Sequence, residues 1–457
     1  MGNKRIYFSC SLILILSSIG MAIIENRDSN ATAISFQSER FSLNRDFAFQ
    51  TSMNVTQQGM IRIIGTLTYW DYADQERPLV WARVWVCDRE PDGLDYILVE
   101  RFTDLNGQFD SGWIVNDDGS GEDGLDIVFY FVAWNDVVQI IDPNDVRYYA
   151  IDGPYENLDD DEYYYDAEMP RGHGAWMIFS YHNGITAGWN YLYTQTDYDV
   201  PMVTCRWPYE NWPHYHPGGE IHLPDWASWW PDIILHEYAH HVMYSLYGYI
   251  PPSMEEHTIN LQSNSETAWA EGWANFFPLV VFNDPVFTWS DGTHYANINL
   301  ETPHWCSGGW DDGDEVEGRV AGALWDIYDS QSDGYDILSL GFTRIWNILS
   351  SQTDNTFREF WDAWNASYPH PKSGSQLQEW TNTLMAVFQN SIDYRGAGDV
   401  NADGIVDIFD AILVANAIGS RKGEERFDQR ADLNYDDIID IFDATIVANN
   451  AGKTYDC

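Results

Sequence analysis

The sequence predicts a multidomain chain with an N-terminal β-sandwich, a central α+β domain and a small all-α module at the C-terminus. Three observations predict this order. Short runs of β-branched and aromatic residues, separated by turn clusters, extend from Ile61 to Trp134. Helix-period patterns follow, and two of them carry histidine or glutamate on one face. Near the C-terminus, residues 399–419 are nearly repeated in residues 432–452.

The amino-acid composition of the chain limits the kinds of partner that it can bind. The 457 residues include 71 Asp and Glu against 23 Lys and Arg, which gives a net charge of −48. A surface this acidic repels a phosphate backbone, so we expect no nucleic-acid partner. The excess fits bound divalent cations or a salty environment, and an acidic surface that only aids solubility would account for part of it. Hydrophobic residues make up 45% of the chain, which excludes a disordered protein.

Residues 1–22 are typical of an export signal. Lys4 and Arg5 precede an apolar run, and Gly20 and Ala22 supply small residues for cleavage near residue 22. An uncleaved membrane anchor is the alternative, because the run is just long enough to span a bilayer. We expect a secreted protein, extracellular or attached to a cell surface, with no membrane span after cleavage. Residues 23–54 are polar and lack periodicity, which indicates a linker.

Four cysteines follow the signal, which itself contains Cys10: Cys87, Cys205, Cys306 and Cys457. We favour a Cys205–Cys306 disulfide, since both residues fall in the central domain, and buried free thiols are the alternative. The chain has no CxxC motif, so a cysteine metal site is not expected.

The β-sandwich is assigned to residues 55–150. Its segment "TDLNGQF", residues 103–109, resembles a turn of the carboxypeptidase-regulatory-like or transthyretin-like, Ig-like β-domains. The domain has no cluster of catalytic residue types, so we assign it a structural or binding role. The acidic run at residues 159–166 is interpreted as a hinge, with a calcium loop as the alternative. Beyond it, the pattern predicts a helix from Ala175 to Gln195 and strands in "VPMVTCRWP" and "GEIHLP". The second of these could be an edge strand for an extended substrate or a plain sheet strand.

The segment "PDIILHEYAHHVMYSLYG" predicts a helix with a metal-binding face. His236 and His240 are four residues apart, so a helix stacks them one turn apart, with Glu237 beside them. Pro231 suits a first-turn position. Two imidazoles suit zinc, and an adjacent carboxylate can act as a base toward water. Because the motif also occurs by chance, a third ligand has to support it.

A second helix pattern, "SETAWAEGWANFF", supplies two candidates for that ligand. Glu271 shares a face with Asn275, while Glu266 is a rival. The pair "HEYAHH" and "AWAEGWANFF" resembles the gluzincin metallopeptidases and is similar to the E-G-W-S-D of fungalysins and the W-L-N-E-G-F-A of zinc aminopeptidases. The resemblance implies an α+β zinc metallopeptidase domain over residues 155–393. In it, one catalytic zinc is held by His236, His240 and Glu271, and Glu237 is the general base.

The resemblance favours Glu271 over Glu266, because Gly272 and Trp273 follow it. Relatives have aspartate where this chain has Asn275, and there the carboxylate accepts the proton of a ligand histidine. This departure bears on catalytic strength more than on zinc binding.

A third segment, "EGRVAGALWDIYDS", resembles a helix of fungalysin-like enzymes. Its Arg319 and Tyr328 either stabilise a transition state or are ordinary surface and core residues. The chain lacks the G-x-M-E-N segment that grips a substrate amine in aminopeptidases. We therefore expect a peptidase of the metalloendopeptidase class that acts on proteins or peptides. The alternative is a binding or scaffold protein whose peptidase fold has lost activity.

Each C-terminal repeat begins as a twelve-residue calcium loop with oxygen donors at positions 1, 3, 5, 9 and 12 and a carbonyl at position 7. The sixth positions differ, because Gly404 tolerates positive φ at little cost and Asp437 does not. We expect both loops to bind calcium, the second somewhat more weakly. The predicted calcium ligands are Asp399, Asn401, Asp403, Ile405, Asp407 and Asp410 in the first loop and Asp432, Asn434, Asp436, Ile438, Asp440 and Asp443 in the second.

The repeat pair resembles a type I dockerin over residues 397–457, which implies two calcium ions, a cohesin-type partner and a role in polysaccharide catabolism. After the ninth loop position, both copies have an Ile-Phe pair, Ile408–Phe409 and Ile441–Phe442. The resemblance gives these pairs to partner docking in two orientations, and the alternative is that they pack the two helices together. Because the module is small, we expect chelation to unfold it while the zinc domain stays folded.

Overall fold

The computed structural model of the protein describes residues 6–16, 22–25, 32–35, 39–51, 59–70, 75–91, 93–117, 124–169, 174–209, 211–224, 226–227, 230–254, 256–291, 293–301, 309–331, 334–368 and 375–455. These fall into two compact units, Met1–His241 with Trp289–Tyr295, and Val242–Thr288 with Ala296–Cys457. Among the described residues, no helix has the length and apolar character to cross a membrane.

The first unit is dominated by β-structure. Twelve strands within its described residues form one sheet, in the order β2-β3-β8-β7-β10-β12-β1-β4-β13-β5-β6, with β9 paired to β5. The strands up to β13 are β1 (Ile6–Leu16), β2 (Ala22–Glu25), β3 (Thr32–Ser35), β4 (Glu39–Thr51), β5 (Met60–Trp70), β6 (Glu76–Pro78), β7 (Arg83–Arg89), β8 (Asp95–Phe102), β9 (Gln108–Val115), β10 (Ile127–Val132), β11 (Val138–Ile141), β12 (Tyr149–Tyr155) and β13 (Glu162–Met169).

Aromatic side chains fill the core of this sheet. Phe129 on β10 stacks on Tyr165 of β13 with ring centroids 4.3 Å apart, and it contacts Phe109 of β9 at 6.3 Å. A second cluster lies where β7, β10 and β12 are neighbours and includes Trp85 and Tyr130. The strand-rich prediction therefore holds for this region. Strand β5 alternates between buried and partly buried residues, whereas every residue of β10 is buried.

Two segments contain strands that the sequence interpretation did not assign. Residues 159–166 are not a hinge, because β13 begins at Glu162 and pairs in parallel with β5 as far as Met169. Its tyrosines at 163 and 165 are buried, so the second half of the segment belongs to the sheet and is not a solvated run. Strands β1 to β4 lie in the residues assigned to the export signal and the linker, and hydrogen bonds from β1 and β4 join the strands into one sheet. A run rich in Ile and Leu is compatible with a β-strand as well as with an export signal.

A four-stranded sheet follows in the order β11-β14-β16-β15. Helix α1 (Gly174–Thr196) precedes β14 (Val203–Arg206), β15 (His214–His216) and β16 (Glu220–His222). The patterns predicted α1, β14 and β16, and they did not predict β15. The proposal that "GEIHLP" forms an edge strand is wrong, because β16 pairs with β14 on one side and β15 on the other. Strand β15 forms that edge instead.

The cysteine prediction is also corrected. Cys205 on β14 is a buried free thiol, and so is Cys87 on β7. The favoured Cys205–Cys306 disulfide is therefore not formed, and Cys306 itself lies outside the described residues. Burial disfavours the charged thiolate and raises the pKa of both Cys87 and Cys205 well above its usual range.

Helix α2 (Pro231–Tyr247) runs from the first unit into the second, and the second unit is mainly helical. A two-stranded sheet is formed by β17 (Val286–Ser290) and β18 (Tyr295–Asn299). The helices that follow α2 are α3 (Ser265–Phe282), α4 (Glu317–Tyr328), α5 (Phe342–Leu349), α6 (Phe357–Ser367) and α7 (Ser375–Gln389). Helix α3 is the centre of their core, since its residues 267–280 are all buried.

The two C-terminal repeats fold as a pseudo-symmetric pair. Helix α8 (Ile408–Ala417) follows the first loop and α9 (Ile441–Asn450) follows the second. Ile405 of loop one forms a β-bridge with Thr454 after α9, and Ile438 of loop two forms the equivalent bridge with Arg421 after α8. Each loop is thus held by the segment that follows the other helix. Small apolar residues form the shared core: Val400, Val406, Val414, Ala417, Ala431, Ile439 and Val447.

The connection from α7 to the first loop is packed and hydrogen-bonded. Arg395, whose side chain is 2% exposed, makes a bidentate pair with Asp393 at 2.8 and 2.9 Å and lies 3.7 Å from the ring centroid of Phe388. Its Nη1 also donates to the carbonyls of Val400 and Arg430. Residues 393–400 therefore act as a buried joint within the second unit. We name this set, Asp393, Arg395 and the carbonyls of Val400 and Arg430, the Arg395 joint.

Candidate metal centres

Helix α2 carries the predicted His-Glu-His face. It begins at Pro231, where a missing N–H costs nothing, as the sequence predicted. The rings of His236 and His240 lie one turn apart, with centroids separated by 4.9 Å and planes nearly perpendicular. His240 and Glu237 are buried, while His236 is partly exposed. The helix therefore presents two imidazoles and a carboxylate in a largely desolvated setting.

The neighbouring His241 has a different role. Its Nε2 lies 2.8 Å from the carbonyl of Pro201, which can only accept, so this nitrogen carries a proton. Its Nδ1 then accepts from the Tyr215 hydroxyl at 3.2 Å. Burial lowers the pKa of His241, which favours the neutral ring that this pair of bonds requires. His241 thus anchors α2 within the first unit and is not a candidate ligand.

Helix α3 presents the predicted third ligand. Asn264 caps its N-terminus by accepting a hydrogen bond from Thr267 N–H. Glu271 and Asn275 are 5% and 3% exposed, whereas Glu266 on the first turn is partly exposed. The Ser253 hydroxyl donates to Glu271 Oε1 at 2.8 Å, which fixes the orientation of that carboxylate.

Among the residues that the structure describes, two groups of side chains have donor atoms suited to a metal ion. The first is the predicted set, His236, His240 and Glu271. Two imidazoles and one carboxylate, with a position left for water, are the donor set of catalytic zinc sites, so the side chains present fit zinc. The second group is His257, Glu271 and Glu317, which the sequence interpretation did not foresee.

The second group lies entirely within the second unit. His257 Nδ1 is 2.8 Å from Glu317 Oε2, and its Nε2 is 3.9 Å from Glu271 Oε1. Both carboxylates are almost fully buried, and the imidazole side chain is 28% exposed. A histidine between the two helix motifs and a glutamate at the first position of α4 were the available signals. Neither belongs to a local spacing pattern, because residues 257 and 317 are 60 positions apart.

The two candidates for transition-state stabilisation make other contacts. Arg319 is 1% exposed, donates from Nε to the carbonyl of Asp311 at 3.1 Å and lies 5.3 Å from the Trp310 ring centroid. The Tyr328 hydroxyl donates to Asn283 Oδ1 at 3.2 Å. These contacts hold loops against the ends of α4, in keeping with the ordinary structural alternative.

The first calcium loop is shaped by its own carboxylates. Asp399 accepts from the backbone N–H groups of Asp403 and Gly404, and Asp410 accepts from those of Val400 and Asp407. Asp407 and Asp410 also form a capping box at the start of α8. Burial, together with the neighbouring carboxylates of Asp410 and Asp403, raises the pKa of Asp399 to about 7. Such a gathering of acidic oxygens is stabilised by a bound cation.

The second loop repeats this arrangement around Asp432 and Asp443. Its sixth residue, Asp437, has φ of 63°, close to the 78° of Gly404 in the first loop. The predicted positive φ is therefore present. The Asp437 carboxylate pairs with Lys422 at 3.0 Å, so a lysine opposes the charge expected to assist the ion.

The Ile-Phe pairs are exposed to solvent. Ile408, Phe409, Ile441 and Phe442 are each between 61% and 65% exposed. The alternative that they pack the two helices together is therefore wrong, because the module core is built from other residues. Two matching apolar patches on equivalent helix starts indicate an interaction surface on each.

Helices that carry a His-Glu-His face and a buried glutamate, followed by paired calcium loops, indicate a metallopeptidase joined to a calcium-dependent docking module. Residues 184–390 match the family model of the Mycolysin C-terminal domain, and residues 397–450 match that of the Dockerin type I domain. Together these matches support a metallopeptidase with a C-terminal dockerin, and with it calcium binding. This confirms the resemblance inferred from the sequence.

Similarity to whole proteins is slight. No curated protein matches the chain. One solved structure that matches is a 9R-lipoxygenase from Cyanothece PCC8801, with 17% identity and a TM-score of 0.18. The match covers 43% of this chain and 24% of the lipoxygenase chain. A likeness of this extent carries no argument about fold or function.

Proposed function

We propose that the chain is a secreted zinc-dependent endopeptidase that attaches to a cohesin-bearing partner through its dockerin. In this proposal an N-terminal β-domain precedes a gluzincin-like α+β catalytic domain, and the mature protein is extracellular or bound at a cell surface. The observation that carries it is the donor set of two imidazoles one turn apart on α2 and a buried glutamate on α3.

His236, His240 and Glu271 would hold the metal, and Glu237 would act as the base. When bound, zinc polarises the peptide carbonyl and lowers the pKa of its water to about 7. Glu237 takes a proton from the attacking water and returns it to the leaving amine. Its burial supports this role, since little bulk water reaches the carboxylate. Asn275, buried on the same helix as Glu271, would orient a ligand histidine through its amide oxygen.

Two features support action on internal peptide bonds. The sequence lacks the amine-gripping segment of aminopeptidases. Strand β15 is the edge of the four-stranded sheet, and an extended peptide can add to such an edge through main-chain hydrogen bonds.

The dockerin would engage its partner through either Ile-Phe pair. The two pairs are almost equally exposed and begin equivalent helices, which supports docking in two orientations. Apolar side chains at the centre of an interface commonly supply most of the binding energy.

The test is peptide cleavage with matched variants. The parent and Glu237→Gln are incubated with a diverse peptide pool, and fragments are identified by mass spectrometry. Cleavage should fall at least about 10²-fold in the variant, the lower range for acid–base catalysis, while zinc content stays unchanged. Glu271→Ala should lose most of the zinc and Glu266→Ala should keep it. Equal cleavage by parent and Glu237→Gln would refute the mechanism.

The second candidate is an inactive peptidase fold that serves as a binding or scaffold protein. Asn275 favours it, because a neutral amide supports a ligand histidine less strongly than a carboxylate does. A parent protein that binds zinc and cleaves nothing in the pool would establish this alternative over the peptidase.

A further inference from the structure

We infer that His257, held in place by Glu317, is a positioning residue for the carboxylate of Glu271. The inference rests on the proposed function in one respect, namely that Glu271 is a zinc ligand. It concerns three side chains of the second unit, which we call the Glu-His-Glu bridge: Glu271 on α3, His257 in the preceding loop and Glu317 at the start of α4.

The Glu271 carboxylate is approached by two groups from that loop. The Ser253 hydroxyl donates to its Oε1 at 2.8 Å, and His257 Nε2 faces the same oxygen at 3.9 Å. The loop is itself tied to α3, because Met254 N–H donates to the Thr267 hydroxyl at 2.9 Å. The contacts around Oε1 therefore come from a segment whose position is fixed by the helix that carries the ligand.

His257 is oriented from its other side. Its Nδ1 lies 2.8 Å from Glu317 Oε2, and a nitrogen that faces a carboxylate at this distance donates. Just beyond it, the Gly318 N–H donates to the carbonyl of Ile259 at 2.9 Å and ties the start of α4 to the same loop. A metal ligand held by a hydrogen-bonded neighbour is the usual way a site fixes its geometry.

Two glycines allow these segments to converge. A Cβ on Gly272, next to Glu271, would lie 2.6 Å from Val320 Cγ1 and 3.0 Å from the carbonyl of Glu317. A Cβ on Gly318 would lie 2.5 Å from the carbonyl of Ile259. Any side chain at either position would force α3, α4 and the loop apart. The close approach of the two carboxylates is thus built into the backbone packing.

Charge explains why an imidazole stands between them. Glu271 and Glu317 are both buried, and two desolvated carboxylates repel each other unless a cation or a proton lies nearby. The imidazole directs a different ring nitrogen at each carboxylate: Nδ1 donates to Glu317 at 2.8 Å, and Nε2 lies 3.9 Å from Glu271 Oε1, close to it but beyond hydrogen-bond distance. The imidazole thus lies between the two buried carboxylates and connects the position of Glu271 to the start of α4.

The test compares two conservative replacements that place an amide at opposite ends of the ring. In His257→Asn the amide stands near the Nδ1 position and keeps the bond to Glu317. In His257→Gln it reaches the Nε2 position, which faces Glu271. His294→Asn, at an exposed histidine of the first unit, is the control. Zinc affinity of each full-length protein is measured by competition with a chelator, and far-UV circular dichroism verifies folding.

We expect His257→Asn to weaken zinc binding by about 10- to 100-fold, the range for groups that support a ligand. His257→Gln should weaken it less, and His294→Asn should match the parent. A purely structural role would affect Asn and Gln alike. Unchanged affinity in His257→Asn, or equal losses in both variants, would overturn the inference. If His257→Asn does not fold, Glu317→Gln replaces it, with weaker zinc binding expected and unchanged binding overturning the inference.

Failure of the inference can be separated from failure of the proposed function. If Glu271→Ala keeps its zinc, the proposed ligand set is wrong, whatever His257 does. If Glu271→Ala loses zinc and His257→Asn binds as tightly as the parent, only the inference fails. Two zinc equivalents in the parent and one in His257→Asn would overturn the positioning role and assign a second metal to the Glu-His-Glu bridge.

Discussion

Helix α3 and the two C-terminal loops both carry carboxylates that could bind a metal, but different interactions hold these carboxylates in position. On α3, Glu271 stands in a helix whose residues 267–280 are buried among aromatic side chains. Trp269, for example, packs on Phe360 and donates to the carbonyl of Asp354 at 2.8 Å. The position of Glu271 is therefore set by apolar packing that needs no metal.

In the loops, the carboxylates organise the backbone themselves. Asp399 accepts two backbone N–H groups and Asp410 accepts three, and the module core beneath them consists mainly of alanine and valine. So small a core contributes little burial energy, and the gathered negative charge opposes folding until a cation is bound. Removing zinc should therefore leave the helices folded, whereas removing calcium should not leave the loops folded.

Calcium removal should have the largest effect. Two sites, each stabilised by about 2.7 kcal/mol at a calcium concentration 100 times Kd, contribute about 5 kcal/mol together. The sequence alone suggested that residues 397–457 would unfold by themselves. The Arg395 joint packs this module on α7, so we expect chelation to lower the melting temperature of the second unit as a whole. Calorimetry of the full chain with EGTA, then with calcium restored, measures this.

A separate low-temperature transition confined to the C-terminal module would break that expectation and restore the independent-module interpretation. An unchanged melting profile after chelation would contradict the calcium assignment itself. Magnesium in place of calcium is the control, because the smaller ion demands octahedral geometry that a flexible twelve-residue loop satisfies less well.

The Arg395 joint should come next in magnitude. Arg395→Ala leaves the buried carboxylate of Asp393 without its guanidinium, and breaking such a pair costs about 3–5 kcal/mol. Despite burial, Arg395 holds the pKa of Asp393 below its usual range, which shows how strongly the pair favours the ionised form. Arg395→Lys keeps the charge but loses the bidentate fork, so it should cost less. Denaturant unfolding in saturating calcium gives both values, and equal stability of parent and Arg395→Ala would show that the joint contributes nothing.

The variant Asn275→Asp tests how the residue that supports a ligand histidine affects zinc affinity. A carboxylate at this buried position should make a ligand histidine more basic and raise zinc affinity by about 10-fold, the lower range for such supporting groups. Without zinc the new carboxylate is buried, so the thermal stability of the zinc-free protein should fall. Chelator competition measures the affinity, with Asn283→Asp at the C-cap of α3 as the control. Weaker zinc binding in Asn275→Asp would show that the amide is the better partner in this site.

The smallest effect should come from position six of the loops. Asp437 adopts positive φ at a cost while its carboxylate is paired with Lys422, so Asp437→Gly removes strain and loses only an exposed ion pair. We expect tighter calcium binding in loop two, by a free energy of about 1 kcal/mol or less. The reciprocal change, Gly404→Asp, should weaken loop one. Isothermal titration of both variants tests this, and weaker binding in Asp437→Gly would mean that the carboxylate assists the ion after all.

Local patterns predicted the helices that carry the candidate metal ligands, and they gave no indication of α5, α6 or α7. Pro231 and the period of the apolar residues indicated α2, and the tryptophan stripe indicated α3. The calcium loops were evident because a segment with regularly spaced oxygen donors occurs twice, which rarely happens by chance. These features depend on residues a few positions apart, so the sequence contains their whole physical cause.

Features formed by distant residues were missed. The acidic segment at 159–166 has the composition of a solvated run, yet β13 pairs there with β5, about 100 residues earlier. The pairing of His257 with Glu317 requires α3 and α4 to approach at Gly272, which no local spacing reveals. The Cys205–Cys306 disulfide failed for the same reason, because proximity along a domain does not place two thiols in contact.

The Arg395 joint has a consequence for assembly. Arg395 is hydrogen-bonded to Asp393 and to the first loop, so the connection between α7 and the dockerin is rigid. A partner could bind the start of α8 or the start of α9. In each case the rigid connection would fix the orientation of the attached helices relative to that partner. Choosing between the two Ile-Phe pairs would then turn the helices of the second unit toward opposite sides of the scaffold. A flexible tether would remove that choice, whereas this joint would convert the two-fold symmetry of a small module into two defined directions of approach.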